Sequence, residues 1–270
     1  MDAKVVSAKK ETINTQFETY NYRRAVVKDI CNQVTVTCKG NFGVIFRVYN
    51  DAVAYRFFTR KKDDIVIINE EANFNFTGDH HAFIPIQWDY RGGQIFNTSF
   101  EALYREIPLS QFPEDSLAFL PVLVDAGNNI KVEILEADLE DYPGMYLDLK
   151  RGNNGLFGVF APFPLESEVS GYNNFNLIPV KRAEYIVKTS GKRNFPWRVA
   201  IISKNDIDLL NCDVVQKLAS PCRIAETGWI KPGQVSWDWW NYWNISHVDF
   251  RAGINNETYK YYIEIGRAHV

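Results

Sequence analysis

The sequence lacks the features that mark membrane proteins and nucleic-acid-binding proteins. None of its apolar runs is long enough for a membrane-spanning helix, and the N-terminal segment has no apolar stretch of signal-peptide length. No cluster of Lys and Arg is interleaved with aromatic residues, and the net charge is only −3. We therefore expect neither a membrane span nor a nucleic-acid partner, and a chain that is either cytoplasmic or without its true start.

Residues that bind transition metals are also few, with four cysteines and four histidines in 270 residues. The cysteines form two pairs without the tight spacing of a zinc knuckle, Cys31 with Cys38 and Cys212 with Cys222. This spacing favours buried free thiols. His80 and His81 are neighbours on an extended stretch, so their side chains point in opposite directions, which favours an ordinary loop over a metal site.

The chain is instead rich in apolar and aromatic residues, 46% and 14% of the total, which is enough for one or two domains with a sizeable core. Up to about residue 225, short β-branched and aromatic runs alternate with turn residues, and this pattern predicts a β-sandwich. The clearest hairpin turns at Asn50 and Asp51 and places Val44, Phe46 and Val48 on one face. Further strands are predicted at residues 34–38, 65–68, 72–76, 83–88, 117–124, 130–135, 145–149, 185–189 and 198–203.

A different pattern follows the β region. Residues 206–218 are predicted as one helix that bridges to the remainder of the chain. Gln234 to Trp240 indicates a strand with large rings on both faces, which is typical of a parallel barrel, and Asn255 or Asn256 can cap a helix after it. One βα unit cannot bury its apolar faces alone, so we expect a truncated chain. We interpret residues 265–270 as a sequencing-adapter artefact, because they match the translation of a common adapter.

One carboxylate occupies an unusual place in the predicted sheet. A period of two puts Glu136 on the apolar face of its strand with Val132 and Ile134. Because burying it unpaired would be costly, Glu136 must meet an Arg or Lys, a metal ion or a water-filled cleft, and a salt bridge is favoured on the sequence alone. An acidic turn follows, whose carboxylates are either surface charges or ligands for a hard cation such as calcium: Asp138, Glu140 and Asp141.

Four segments, in this order, resemble glycoside hydrolase family 97: RVYNDAVAYRF (47–57), EADLEDYPGM (136–145), GKRNFPWRVAII (191–202) and WIKPGQVSWDWWN (229–241). The resemblance covers the chain from about Thr12 to Glu264. It implies a mainly β fold, a β-super-sandwich of the galactose-mutarotase type followed by the truncated start of a (β/α)₈ TIM barrel. The implied domains are a partial sandwich over residues 1–225, with a helical linker at about 204–225, and the beginning of the barrel over residues 226–264.

The resemblance implies that the intact protein is a calcium-dependent glycoside hydrolase, periplasmic or secreted, that cleaves α-glucosidic or α-galactosidic bonds in oligosaccharides. The family's acid and base or nucleophile lie on later barrel strands, so we expect this fragment to lack catalytic residues and to be inactive. In the family a sandwich glutamate helps to bind calcium at the active-site mouth, and Glu136 is the position that matches it. Residues at the end of the first barrel strand are expected to face the substrate, although each ring can equally pack inside the barrel: Trp239, Trp240, Asn241 and Asp238.

Two other classes of function stay open. A non-catalytic carbohydrate-binding sandwich would explain the β region and the aromatic residues, but it would not explain the βα unit. A mutarotase-like epimerase would need a histidine and a carboxylate in a sandwich cleft, and His80 and His81 are the histidines that the sandwich offers. The sequence decides neither between α-glucosides and α-galactosides nor between inverting and retaining chemistry, and it leaves the oligomeric state unknown.

Overall fold

The structure is a computed structural model that describes residues 3–19, 22–89, 95–149, 155–170, 174–231, 233, 243 and 245–268. It divides into two compact units, residues 1–220 and residues 221–270. All of the described strands lie in the first unit. The tryptophan-rich strand predicted at Gln234 to Trp240, the first strand of the predicted barrel, lies outside the described residues.

The first unit is mainly β, as predicted. Its described strands are β1 (Val5–Glu18), β2 (Val26–Cys38), β3 (Phe42–Val48), β4 (Ala52–Arg60), β5 (Ile65–Ile67), β6 (Asn73–Asn75), β7 (His81–Trp88), β8 (Tyr104–Pro108), β9 (Ser116–Ala118), β10 (Val122–Asp125), β11 (Lys131–Ala137), β12 (Met145–Leu149), β13 (Gly155–Phe160), β14 (Pro164–Ser170), β15 (Asn176–Arg182), β16 (Val187–Thr189), β17 (Lys192–Asn194) and β18 (Trp197–Ser203). The helices are a 3-10 turn (Leu109–Gln111), α1 (Asp206–Asn211), α2 (Val214–Leu218) and, in the second unit, α3 (Asn256–Ala268).

Fourteen of the eighteen described strands form one large antiparallel sheet that folds back on itself. Its order is β1-β2-β3-β4-β18-β11-β10-β7-β9-β12-β13-β6, with β17 beside β4 and β8 beside β7. Strand β7 joins the two layers, because its first residues pair with β8 and β10 whereas Ile86 to Trp88 pair with β9. Smaller antiparallel pairs are formed by β14 with β15 and by β5 with β16. The sandwich predicted from the sequence is confirmed.

Two hydrophobic cores lie on the faces of this sheet. The first fills the space between the layers and includes Ile84, Val124, Ile134, Leu147 and Leu156. The second lies on the other face of the sheet and combines strand residues with two residues of α2: Ala54, Trp197, Val199, Val214 and Leu218. The short helices after β18 therefore cover one face of the sheet, while the second layer covers part of the opposite face.

The predicted hairpin is confirmed, since Phe46 lies opposite Tyr55 and Val48 opposite Val53. Other boundaries differ. The strand predicted at residues 117–124 is two strands, β9 and β10, separated at Pro121, which has no N–H to donate to a ladder.

The single helix predicted at residues 206–218 is also wrong, because the structure has α1 and α2 with a break at Cys212 and Asp213. The physical reason lies in the loop before β2. The Arg23 and Arg24 side chains donate to backbone carbonyls at the end of α1 and to the carboxylate of Asp213, and these contacts replace continued helical pairing.

The second unit contains the helix predicted near the C-terminus. The side-chain oxygen of Asn255 accepts a hydrogen bond from the Thr258 N–H (2.9 Å), so Asn255 caps α3 as expected. The helix continues past Gly266 to Ala268, further than the predicted stop. No helix in the described parts of the chain has the length and apolarity needed to cross a bilayer.

All four cysteines are free thiols. Cys31 and Cys38 are buried, as predicted. The prediction is wrong for Cys222, which is exposed, and only partly right for Cys212, which is half-buried. Both of these residues lie around the short linker helices, where the chain leaves the sheet.

Candidate metal-binding carboxylate in the sandwich

Glu136 lies near the end of β11, the strand that runs between β10 and β18. It pairs across the ladder with Arg198, in register with the pair Ile134 and Ala200. Paired residues of an antiparallel ladder share a face, so the carboxylate points to the same side as Ile134, as the period of two predicted. The counter-charge expected for an inward carboxylate is therefore the guanidinium of Arg198.

The Arg198 guanidinium is shared between two carboxylates. Its side chain is fully buried, and its Nε and Nη2 atoms donate to Oε1 (2.7 Å) and Oε2 (2.9 Å) of Glu70. Its Nη1 atom donates to Oε2 of Glu136 (2.6 Å). The Tyr142 hydroxyl donates to Oε2 of Glu70 (2.9 Å), and the rings of Tyr142 and Phe160 lie over the guanidinium. We call Glu70, Arg198, Glu136 and Tyr142 the arginine cluster.

The arginine cluster has an unbalanced charge. One guanidinium and two carboxylates leave a net charge of −1 when both acids are ionised. Burial raises the pKa of Glu136 above its usual range, although the charge of Arg198 and the N–H of Met145 act in the opposite direction. A carboxylate in such surroundings gains from further positive charge.

Each oxygen of the Glu136 carboxylate has a distinct environment. The Met145 N–H lies 3.1 Å from Oε1 and 3.2 Å from Oε2, and Oε2 also accepts the bond from Arg198. Oε1 has no charged donor among these contacts. It lies beside Gly144, where an added Cβ would come within 3.4 Å of it. The Glu136 side chain is 16% exposed, and Oε1, which accepts one hydrogen bond from Met145, retains an unused lone pair.

The acidic turn after Glu136 is held by cations of the protein. Asp138 accepts hydrogen bonds from the Arg56 guanidinium (3.1 Å) and from the backbone N–H of Ser220 (2.7 Å). Arg193 donates to two backbone carbonyls of the same turn. In the described residues, no group of three or more His, Cys, Asp or Glu side chains is arranged to hold a metal ion. The structure thus gives Asp138 a role as an ion-pair partner of the sandwich.

The segment that follows β18 is fixed to the sandwich by a second buried carboxylate. Asp213 accepts hydrogen bonds from the Tyr22 hydroxyl (2.8 Å) and from Arg23 (2.9 Å), and it also pairs with Arg24. Burial opposes ionisation, but these hydrogen bonds and charges hold the pKa of Asp213 below its usual range. Together with the bond from Ser220 to Asp138, this anchoring ends the first unit beside the turn that follows Glu136.

The histidine that meets a carboxylate lies on the surface of the sandwich. His81 Nδ1 is 3.3 Å from Glu106 Oε1, and both side chains are 57% exposed. His80 makes an edge contact with the ring of Phe76. This pair does not form the cleft that a mutarotase-like epimerase requires.

Comparison with known proteins identifies the sandwich. The family model described as Glycosyl-hydrolase 97 N-terminal matches residues 1–221. The chain belongs to glycoside hydrolase family 97. Among curated family relatives, the retaining alpha-galactosidase of Bacteroides thetaiotaomicron is 38% identical, over 99% of this chain and 41% of that protein.

Solved structures of family 97 enzymes share the fold. Those of an enzyme from Pseudoalteromonas sp. strain K8, in complex with acarbose or with panose, have a TM-score of 0.68 at 24% identity and cover 86% of this chain and 32% of that one. A beta-arabinopyranosidase has a TM-score of 0.58 at 24% identity and covers 75% of this chain and 32% of that one. The chain therefore spans about two fifths of the curated relative and about a third of these solved chains.

The structure brings together residues that sequence reasoning had left apart. Glu136 was predicted, but its partners Glu70, Arg198 and Tyr142 were not. One signal was available for Arg198, which is a charged residue inside the otherwise apolar strand WRVAII. The four predicted substrate-binding residues lie outside the described residues: Trp239, Trp240, Asn241 and Asp238.

Proposed function

We propose that this chain is the sandwich part of a larger family 97 enzyme that hydrolyses α-glycosidic bonds in oligosaccharides. The relative with 38% identity is named a retaining alpha-galactosidase, which favours α-galactosides as the substrate class. The neighbours solved with acarbose and panose support oligosaccharide binding in the wider family. We further propose that the intact protein is periplasmic or secreted, and that Trp239, Trp240, Asn241 and Asp238 contact its substrate.

We propose that Glu136 is a ligand of a calcium ion in the intact enzyme. The observation that carries this proposal is the buried, negatively charged arginine cluster, in which Oε1 of Glu136 keeps a free lone pair beside Gly144. A carboxylate oxygen is the kind of ligand that calcium takes, so the site fits the ion chemically. Calcium takes about six to eight oxygen ligands, so the others must come from outside the arginine cluster.

Bound calcium would supply positive charge that orients sugar hydroxyls or the catalytic acid. The residues of this chain have a supporting task. The Arg198 guanidinium holds Oε2 of Glu136, and the Met145 N–H holds the carboxylate from the other side. The acidic turn, bound by Arg56 and Ser220, keeps this carboxylate beside the last residue of the first unit. Under the proposal, the catalytic acid and the base or nucleophile lie on later barrel strands, outside this chain.

The test is a Glu136→Gln substitution in the intact protein, with Glu166→Gln as a control at an exposed surface ion pair. We expect Glu136→Gln to weaken calcium affinity by roughly 10- to 100-fold and to reduce hydrolysis of aryl α-galactosides in parallel. Aryl α-glucosides are assayed beside them to decide the substrate class. The 270-residue chain alone serves as the inactive reference. Calcium dependence that is unchanged in Glu136→Gln would remove Glu136 from the metal site.

A further inference from the structure

Glu70 is a buried carboxylate that the proposed calcium site does not itself use. It lies in the loop between β5 and β6 and is only 7% exposed. Its Oε1 accepts from Nε of Arg198, and its Oε2 accepts from Nη2 of Arg198 and from the Tyr142 hydroxyl. Both oxygens of Glu70 are therefore hydrogen-bonded within the arginine cluster, and its contact with Arg198 links it to Glu136.

The bidentate contact fixes the plane of the Arg198 guanidinium. A planar guanidinium held by two parallel hydrogen bonds cannot rotate without breaking both, and its third nitrogen then points in one direction. That nitrogen, Nη1, donates to Oε2 of Glu136 (2.6 Å). Met145 supplies the second hold on the same carboxylate. Oε1 consequently lies beside Gly144.

Glu70 also determines the charge that a cation would meet. Arg198 serves two carboxylates, so the arginine cluster contains one more acidic than basic side chain. A glutamine at position 70 would leave Arg198 and Glu136 as a balanced pair. The same residue therefore sets both the orientation of Glu136 and the negative charge available to a divalent ion.

We propose that Glu70 and Arg198 act as a positioning pair that presents Oε1 of Glu136 to a divalent cation. This inference rests on the proposed calcium-binding role of Glu136. It assigns to Glu70 a contribution to cation affinity that is separate from its contribution to the stability of the fold. The two roles are separable by experiment, because Glu70→Gln keeps the size of the side chain but removes its charge and one of the two acceptors for Arg198. The melting curve without calcium reports the separate effect on folding.

The experiment is calorimetric titration of the chelator-treated intact protein with CaCl₂, together with a melting curve without calcium. We expect Glu70→Gln to weaken calcium binding by roughly 10- to 100-fold. The matched control is Asp29→Asn, another buried carboxylate (6% exposed), which pairs with Arg47 near the opposite core. Asp29→Asn should alter the melting temperature but leave calcium affinity unchanged.

A second variant covers the case in which Glu70→Gln does not fold. Gly144→Ala leaves the arginine cluster intact and places a methyl group 3.4 Å from Oε1 of Glu136, an ordinary contact that narrows the approach to that oxygen. We expect several-fold weaker calcium binding with an unchanged melting temperature without calcium. Calcium affinity that stays at the wild-type level in this variant overturns the assigned orientation.

The outcomes distinguish failure of the positioning pair from failure of the proposed calcium-binding role of Glu136. If Glu136→Gln loses calcium affinity whereas Glu70→Gln retains it, the positioning pair is refuted and the metal ligand stands. If Glu136→Gln also retains full affinity, both are refuted. Equal losses in Glu70→Gln and in the control Asp29→Asn would show a general effect of destabilisation, and they would overturn the specific role of Glu70.

Discussion

Replacing Arg198 by methionine should be among the most destabilising single changes in the sandwich. The exposed fractions of the three ionic side chains are 0% for Arg198, 6% for Glu70 and 16% for Glu136. The change therefore leaves two carboxylates without a counter-charge in a largely buried site. Three charged hydrogen bonds of 2.6 to 2.9 Å are lost. Removing one partner from a buried ion pair typically costs about 3–5 kcal/mol, and we expect Arg198→Met to fall in that range.

The assay is equilibrium unfolding of the 270-residue chain in urea without calcium, followed by circular dichroism. Arg60→Met is the control, because the exposed Arg60 also donates to neighbouring oxygens, and its loss should cost below about 1 kcal/mol. The combined variant Arg198→Met, Glu70→Gln, Glu136→Gln leaves no buried charge unpaired. It should recover at least half of the lost free energy of unfolding. A single variant that costs below about 1 kcal/mol, or a combined variant no more stable than the single one, would refute this reasoning.

Two further predictions concern the linker and the sheet. The depressed pKa of Asp213 contributes stability that is complete above the pKa of an unfolded Asp, about 3.9, and is lost as pH falls through the folded value. Asp213→Asn should therefore cost about 1 kcal/mol at pH 7 in urea unfolding. It should also reduce the fall in unfolding free energy at acid pH. Gly43→Ala should destabilise by about 1–3 kcal/mol, because its Cβ would lie 2.1 Å from the Val36 carbonyl oxygen, whereas Gly228→Ala, with no atom within 4 Å, should melt like the wild type.

The sequence predicted the sandwich where its strands are apolar on one face. The hairpin of β3 and β4 was predicted from its alternation and its Asn50-Asp51 turn, and the pairing confirms it. Phe46 and Val48 of the apolar face are nevertheless exposed, whereas Tyr49 and Ala54 of the opposite face are buried. Strand β1 escaped prediction, because most of its residues are exposed and polar and its pairing with β2 is the feature that makes it a strand. The exposed pair β14 and β15 was missed for the same reason.

The candidate site was predictable in part for a related reason. The period of two within β11 shows the direction of Glu136, which is local information. The identity of its partner is not local, because Arg198 is 62 residues away in sequence and Glu70 is a further carboxylate 128 residues from Arg198. The alternation within β11 indicates that a buried charge needs a partner. The identity of that partner follows only from the strand order, which places β18 next to β11.

The turn after β11 links the two faces of the sheet. Glu136 points to the face of the arginine cluster, whereas Asp138, whose φ of 59° takes the chain out of the strand, binds Arg56. The Arg56 guanidinium lies over the ring of Trp197 in the second core, one residue before Arg198 in β18. Because Asp138 also holds the N–H of Ser220, one turn positions both the proposed ligand and the last residue of the first unit. The distance between them is therefore set within the sandwich itself. If Glu136 binds calcium as proposed, Asp138→Asn should weaken that binding in calorimetric titration although Glu136 is intact.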